Sequence, residues 1–513
     1  MVVSALILSI PSQDGPPLFR TLTGPGRLHY PIALPTLPMQ HGGKTTMSTA
    51  EQLNQSNLKR TISTPGAIGV AFNQIVGGGI VSLTGVAIAL TGGGVSVAFA
   101  IAVTTIIIVS IPYAAIGSAM PAVGGVYTYS SRLIHPGAGY VALFVNFLAQ
   151  SSIGLYGLSA GQYMQSLNPA FHETVVAVVI IVAFFLANTA GAVIGSRVGL
   201  VLSLIMLAAF ATFIAVGLQS VDWVNYPPVL PDGFGNLLEA AALLTFATGG
   251  ATVVVELGGE MKNPGRAIPI SLIGGTALAG GMYILIALVS AGVLPISEVA
   301  DQPLSIVGRE FLPTGAWVFF IIGGAMVAVV STMNSQMLTG TKSLLAAIDD
   351  GWFPKWLGAV SGRFGTPHWL LTILLLLGLA PVLAGVPLGE LASAVSGAAQ
   401  LIFVFVLVSS LRLRALRPEM HRAAPFKLGL RTHWVLVTLG SAISLYQCYL
   451  LVSTGVSTPV LVAIGALAAA AAVWAVIRYP HVKRTLEARR LHTGSTWALE
   501  QPLSPTHNPD EVT

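Results

Sequence analysis

From Pro65 onward the chain alternates long apolar runs with short segments rich in Pro, Gly and charge. A helix that crosses a bilayer needs about 20 apolar residues, and it bonds its own backbone because hydrocarbon offers no partner. The pattern predicts twelve such helices, over residues 66–90, 95–120, 137–165, 172–190, 197–219, 236–258, 269–294, 314–343, 368–385, 388–411, 433–453 and 457–478. The fold class expected is therefore an all-α polytopic membrane protein with twelve transmembrane helices.

Sidedness follows from the polar remainder. An even number of spans puts both termini on one side, together with the loops after spans 2, 4, 6, 8 and 10. Of the 24 Lys and Arg, only Arg309 falls on the opposite side. Such a bias marks the cytoplasmic face, so the expected location is the plasma membrane, multi-pass, with cytoplasmic termini. The net charge of +5 is then a consequence of topology and of the anionic inner leaflet, and no nucleic-acid partner is needed. Residues 1–63 read as a disordered cytoplasmic tail, with Met47 as an alternative start that would leave residues 1–46 untranslated. Residues 479–513 read as a second cytoplasmic tail.

Composition agrees with this reading and removes other classes. Hydrophobic residues make up 54% of the 513 and charged residues 8%, against roughly 25% charged in a soluble protein. A soluble enzyme is excluded. The single cysteine, Cys448, forms no intramolecular disulfide or multi-cysteine metal site. No Walker motif, His-Glu-x-x-His, paired intramembrane aspartates or Ser/His pair is present, so neither ATP-driven transport nor catalysis is expected, and no cofactor.

The 56 glycines matter by position. Gly77, Gly78 and Gly79 lie near the middle of span 1, and Gly249 and Gly250 near the middle of span 6. Each glycine weakens a helix by roughly 0.5–1 kcal/mol relative to Ala, so both helices are expected to open there. The two interruptions are five spans apart, an odd number. The segments 64–235 (spans 1–5) and 236–415 (spans 6–10) would therefore cross the bilayer in opposite senses, as in an inverted repeat, with residues 416–478 adding spans 11 and 12. Opened helices expose backbone groups that a polar ligand at the midplane can satisfy. The N–H groups at Gly77–Gly79 can hold a carboxylate, and the carbonyls of Ile75, Val76, Phe246, Ala247 and Thr248 an ammonium group. A zwitterionic amino acid fits those poles. The competing reading is that the glycines serve only close helix packing.

Four segments carry a family resemblance. Phe246 to Pro269, containing Gly249-Gly250, Glu260 and Lys262-Asn263-Pro264, is similar to the aromatic-Ala-x-x-Gly…Glu-x-Lys-Asn-Pro-x-Arg-x-Ile-Pro segment of the amino acid, polyamine and organocation (APC) superfamily of permeases. Pro121 to Tyr127 resembles its Pro-x-x-Gly-Gly-x-Tyr motif. Ala346 to Pro354, followed by Thr366-Pro367, resembles its Asp-Gly-x-x-Pro…Thr-Pro loop, and Arg414 to Lys427 its basic loop after span 10. The resemblance, over about residues 60–480, is to the amino acid permease branch. It implies a LeuT-like five-plus-five inverted repeat, two peripheral C-terminal helices, and alternating access as a symporter or exchanger.

Departures shape the expectation. Ala251 and Thr252 stand where many members carry an aromatic gate and an acidic or polar residue. The place of a lysine found within helix 5 of some proton-coupled members falls at Met206. The resemblance also implies that a sodium site would use span 1 carbonyls with span 8 hydroxyls, for which Ser331 and Ser335 are available. Such hydroxyls also commonly bond to their own backbone. Glu256 lies about 9 Å below the break at Gly250 by the helical rise, with Glu260 one turn on. Either they handle a proton, or they pair with cytoplasmic Lys or Arg in an inner gate. The coupling ion is thus H+ or Na+. Asn73, Gln74, Asn146, Gln150, Tyr156, Asn334 and Gln400 are expected chiefly to bond across helices. With no acidic residue near the midplane of spans 3, 8 or 10, a neutral amino acid is favoured as substrate. An organic amine, polyamine or nucleobase is the alternative, and a sensor or channel on the same fold a further one.

Overall fold

The computed structural model describes residues 62–493, apart from 121–123, 192–195, 225, 231–232, 257–260 and 362–363. Among the described residues the regular elements are helical, and the one β contact is an isolated bridge between Ile62 and Met261. Of the tails expected at residues 1–63 and 479–513, residues 1–61 and 494–513 lie outside the described residues, as does Glu260.

The first apolar segment is two helices. Ser63 begins α1 (Thr64–Ile75), its hydroxyl accepting from the Gly66 amide at 3.3 Å. The helix stops at Val76, whose ψ of 91° leaves the helical region, and Gly77 is extended. A second helix, α2 (Gly78–Thr91), starts at once and ends at Gly92, whose φ of 54° lies in the left-handed region that glycine enters without penalty. A short 3₁₀ turn, Gly92–Gly94, leads into α3 (Val95–Ala119). Then come α4 (Gly125–Leu133), α5 (Pro136–Ala149), α6 (Ser152–Leu167), α7 (Glu173–Thr189) and α8 (Ser196–Ser220).

The sixth segment is likewise interrupted: α9 (Phe234–Thr248) passes into a 3₁₀ turn at Gly249–Thr252 and then the single turn α10 (Val253–Glu256). The long α11 (Pro264–Gly292) follows, then α12 (Ile296–Val299), α13 (Leu304–Phe311) and α14 (Thr314–Phe319). A π-helical stretch, Phe320–Met326, joins α14 to α15 (Val327–Asp349). The chain closes with α16 (His368–Leu383), α17 (Leu388–Leu416), α18 (Pro418–Ala423), α19 (Leu430–Gly455) and α20 (Thr458–Thr493).

Eight helical stretches among the described residues are long and apolar enough to cross a bilayer. The first of them, Gly78–Ala119, runs α2 and α3 together, so only α1 of the first broken segment lies outside the eight; the broken sixth segment also lies outside them, and α7 and α16 are shorter apolar helices of 17 and 16 residues.

The broken helices form the centre. Protein rather than lipid covers them: α2 buries nearly every residue, and α9 buries an unbroken run from Glu239 to Thr245. Against them, α9 packs on α2 and α3, while α11 runs along α1 and α3. The periphery is α20: from Ser457 to Ala488 only Val482 is fully buried. That helix also continues to Thr493, beyond the expected boundary at 478. The basic and acidic residues after Tyr479 end an apolar run without ending a helix, as the i,i+4 pair Lys483–Glu487 shows.

Candidate functional site

The two interruptions meet. A Cβ on Gly250 would collide with the Gln74 carbonyl oxygen and lie 3.0 Å from the Ile75 Cα, while a Cβ on Gly79 would lie 2.8 Å from the Ala247 Cα. These are backbone atoms, so the approach tolerates no side chain. At Gly78 the ring of Tyr156 occupies the Cβ position at 2.6 Å, and at Gly77 the Thr332 hydroxyl does. Close packing and helix opening are thus both properties of the same glycines. Packing brings the breaks together, and opening frees the backbone groups there.

The consequence is electrostatic. A helix leaves N–H groups at its start and C=O groups at its end short of main-chain partners, and Gly79 beside Ala247 puts the start of α2 against the end of α9, where the Gly249 amide already takes the Phe246 carbonyl. The positive pole of α2 faces the negative pole of α9. Some of the groups are already used. The Gly78 amide donates to the Thr332 hydroxyl on α15 at 2.8 Å, which itself donates to the Ala328 carbonyl at 2.9 Å. Tyr283 on α11 donates to the Ile75 carbonyl at 2.6 Å, its ring braced edge-on by Phe99. The Thr248 hydroxyl bonds the Leu244 and Thr245 carbonyls, and that of Thr252 bonds the Gly249 carbonyl.

Ile75, Val76, Gly77, Gly78 and Gly79 therefore lie at one break, and Phe246, Ala247, Thr248, Gly249, Gly250 and Thr252 at the other, on touching elements. The α15 hydroxyl that reaches the break is Thr332, a neighbour of the expected Ser331. Ser331 bonds its own helix, at 3.0 Å to the Ala328 carbonyl. Ser335 is one turn along, where its carbonyl accepts from Thr339 at 2.8 Å. Glu256 closes α10, and its side chain, like all of Glu260, is outside the described residues. The inner ends of the broken segments are tied, with the Lys262 amide donating to the Ile62 carbonyl at 3.0 Å. Cross-helix bonds are made by Asn73 with Ser203, Asn334 with Asn188 at 3.1 Å, and Gln400 with the Ala242 carbonyl at 3.4 Å.

A second polar assembly joins the two motif loops on the expected cytoplasmic side. Arg132 at the end of α4 makes a two-pronged ion pair with Asp350, at 2.7 and 2.8 Å, and the Tyr127 hydroxyl donates to the same carboxylate at 2.6 Å. Asp350 is 1% exposed and Arg132 12%. Burial, and the Asp350 charge beside it, hold the Tyr127 phenol well above the usual tyrosine range, so it donates as a neutral hydroxyl. Tyr127 and Asp350 stand within the quoted motifs. The signal that could have joined them is an opposite charge, Arg132, on the same predicted side. Glu239 was also missed: it lies in the first turns of α9, 7% exposed, close to Gly455.

Comparison with known proteins points the same way as this geometry. A family model described as amino acid permease matches residues 62–477. The branched-chain amino acid permease BcaP of Bacillus subtilis is 27% identical over 406 residues, covering 72% of this chain and 84% of the relative. A methylthioribose transporter of the same organism is 26% identical over 407 residues, covering 74% and 86%. The BcaP protein of Lactococcus lactis is 24% identical over 402 residues, covering 72% and 85%.

Proposed function

Because the chain belongs to the amino acid permease family, we propose that it is a secondary active transporter that moves a neutral amino acid across the plasma membrane by alternating access. The observation that carries the reading is the contact between the positive pole of α2 and the negative pole of α9. An amino acid presents a carboxylate and an ammonium group on one carbon, and that pair of poles serves both at once. None of the side chains placed around the break (Tyr156, Tyr283, Phe246, Thr248, Thr252, Thr332) carries a charge, which favours a neutral substrate side chain. The likeness to two branched-chain permeases supports an aliphatic one.

In this reading twelve helices span the membrane as a five-plus-five inverted repeat plus two, with both termini cytoplasmic. The Arg132–Asp350–Tyr127 assembly closes the cytoplasmic side. Glu256 and Glu260, which follow the sixth-segment break in the sequence, are the residues we assign to a coupling proton. Sodium is the weaker assignment, since Ser331 spends its hydroxyl on its own helix and Thr332 is engaged at Gly78. A second reading, transport of a neutral solute that is not an amino acid, is favoured only by the likeness to the methylthioribose transporter.

Counterflow in proteoliposomes tests the proposal. Unlabelled leucine inside should accelerate entry of labelled leucine without any ion gradient, and an imposed pH gradient should drive net uptake more than a Na+ gradient does. Uptake without trans-stimulation would show a channel instead, and acceleration by methylthioribose alone would select the second reading.

A further inference from the structure

The last helix attaches to the protein in an unusual way. At a rise of about 1.5 Å per residue, 36 residues extend over about 54 Å, while a bilayer core of about 30 Å needs only about 20 of them. The apolar part is almost wholly exposed, as expected of a lipid-facing helix. Its firm contacts begin in the last turns of the apolar run and continue beyond it. Ala471, Ala475, Tyr479, Val482 and Leu486, spaced by four, four, three and four, form one face, and they pack on a cluster containing Tyr127, Tyr140, Ala347 and Trp352. Val482 is 0% exposed.

The polar contacts converge on the loop that holds Asp350. Arg478 donates to the Gly351 carbonyl at 2.7 Å, and Trp474 donates through Nε1 to the Trp352 carbonyl at 2.9 Å. Gly351 has φ of 90°, and a Cβ there would lie 2.9 Å from the His481 ring. On the opposite loop, the Tyr479 hydroxyl is 3.0 Å from His135 Nε2 and the two rings stack at 5.6 Å. His135 caps the start of α5, three residues after Arg132. The extension thus grips the residues immediately following Asp350 and the residue that begins the helix after Arg132.

We propose that the inner end of α20 is a positioning element for the Arg132–Asp350 pair, with Arg478, Tyr479 and Val482 as its positioning residues, so that the last helix sets how readily the cytoplasmic side opens. The inference rests on reading that pair as the cytoplasmic closure, but its test does not require the solute to be known. In full-length protein carrying Cys448→Ser and Val255→Cys, in nanodiscs, a soluble methanethiosulfonate reagent reports opening. Val255 is buried against Gly117 in the inner half of the sixth segment.

Arg478→Ala and Val482→Ala should each raise the rate of Val255→Cys modification about fivefold, Asp350→Asn should raise it at least as much, and Arg478→Lys and Val482→Ile should restore it nearly to the parent. Adding Arg478→Ala to Asp350→Asn should give no further increase, because both act on one closure. Tyr479→Phe, which removes a single hydroxyl, provides a milder variant with a smaller rise should Val482→Ala not fold. Unchanged rates in Arg478→Ala and Tyr479→Phe would overturn the proposal, and so would multiplicative effects of Arg478→Ala and Asp350→Asn. Failure of leucine counterflow with these accessibility effects intact would reject the transport reading and leave the role of α20 standing.

Discussion

At the helix breaks, α2 and α9 meet through backbone. Gly79 and Gly250 leave room for neighbouring main-chain atoms where a Cβ would collide, and the polar groups on offer are helix ends. At the motif loops, Tyr127, Arg132 and Asp350 meet through side chains, with a carboxylate that is 1% exposed bonded by a guanidinium and a phenol. The first region neutralises no full charge of its own, so it has capacity left for a charged ligand. The second satisfies its charges internally, so it is suited to holding surfaces together. On the proposed reading the first is a site that binds and releases and the second a closure that holds, and the difference lies in whether the electrostatics are left open.

That contrast can be broken from either side. The largest effect should come from Arg132→Ala, which strands the Asp350 carboxylate in a buried place; a loss of about 3–5 kcal/mol is expected in denaturant unfolding of the detergent-purified protein. Tyr127→Phe should cost about 1.5–3 kcal/mol, the range for a hydrogen bond to a charged group. It carries a pH signature as well. Because the folded protein holds that phenol protonated above the usual value of about 10, its contribution is complete below that pH and is lost as pH climbs through the raised value. Stability measured from pH 9 to 11 should therefore fall less steeply in Tyr127→Phe than in the parent.

Changes at the helix breaks should be smaller in stability and larger in transport. Gly250→Ala forces a methyl group toward the Gln74 carbonyl, at about 1–3 kcal/mol, and should depress leucine uptake about 100-fold at constant surface expression. Thr332→Val removes the acceptor for the Gly78 amide, worth about 0.5–1.5 kcal/mol, and should raise KM up to about tenfold with kcat little changed. Ser331→Ala should stay within about 0.5 kcal/mol in stability and leave KM where it was, since that hydroxyl bonds only its own helix. A Ser331→Ala effect on KM exceeding that of Thr332→Val would reverse the assignment of the α15 hydroxyl.

Much of this was legible in the residues. Apolar runs marked where helices would lie, because lipid exposure demands them, and glycine runs marked both interruptions, because few other residues permit backbone contact at mid-span. Thr332 was not legible, although Ser331 and Ser335 were considered. One residue turns a helix by about 100°, and without a partner the sequence carries no phase for α15. The Arg132–Asp350 pair joins residues 218 apart, and only tertiary structure brings their motifs together. The extent of α20 was hidden for a different reason: hydropathy reports where apolar surface ends, and a helix of Arg, Lys, Glu and Leu continues past that point.

The central claim is that two helix poles hold the two charged ends of one amino acid, and it is tested most directly by comparing leucine with analogues lacking either end. In thermal unfolding of the purified protein, leucine should raise the midpoint in proportion to its occupancy. Leucine methyl ester and N-acetyl-leucine should each need at least about tenfold higher concentration for the same shift, because each leaves one pole unpaired. Equal stabilisation by leucine and by either analogue would contradict the account.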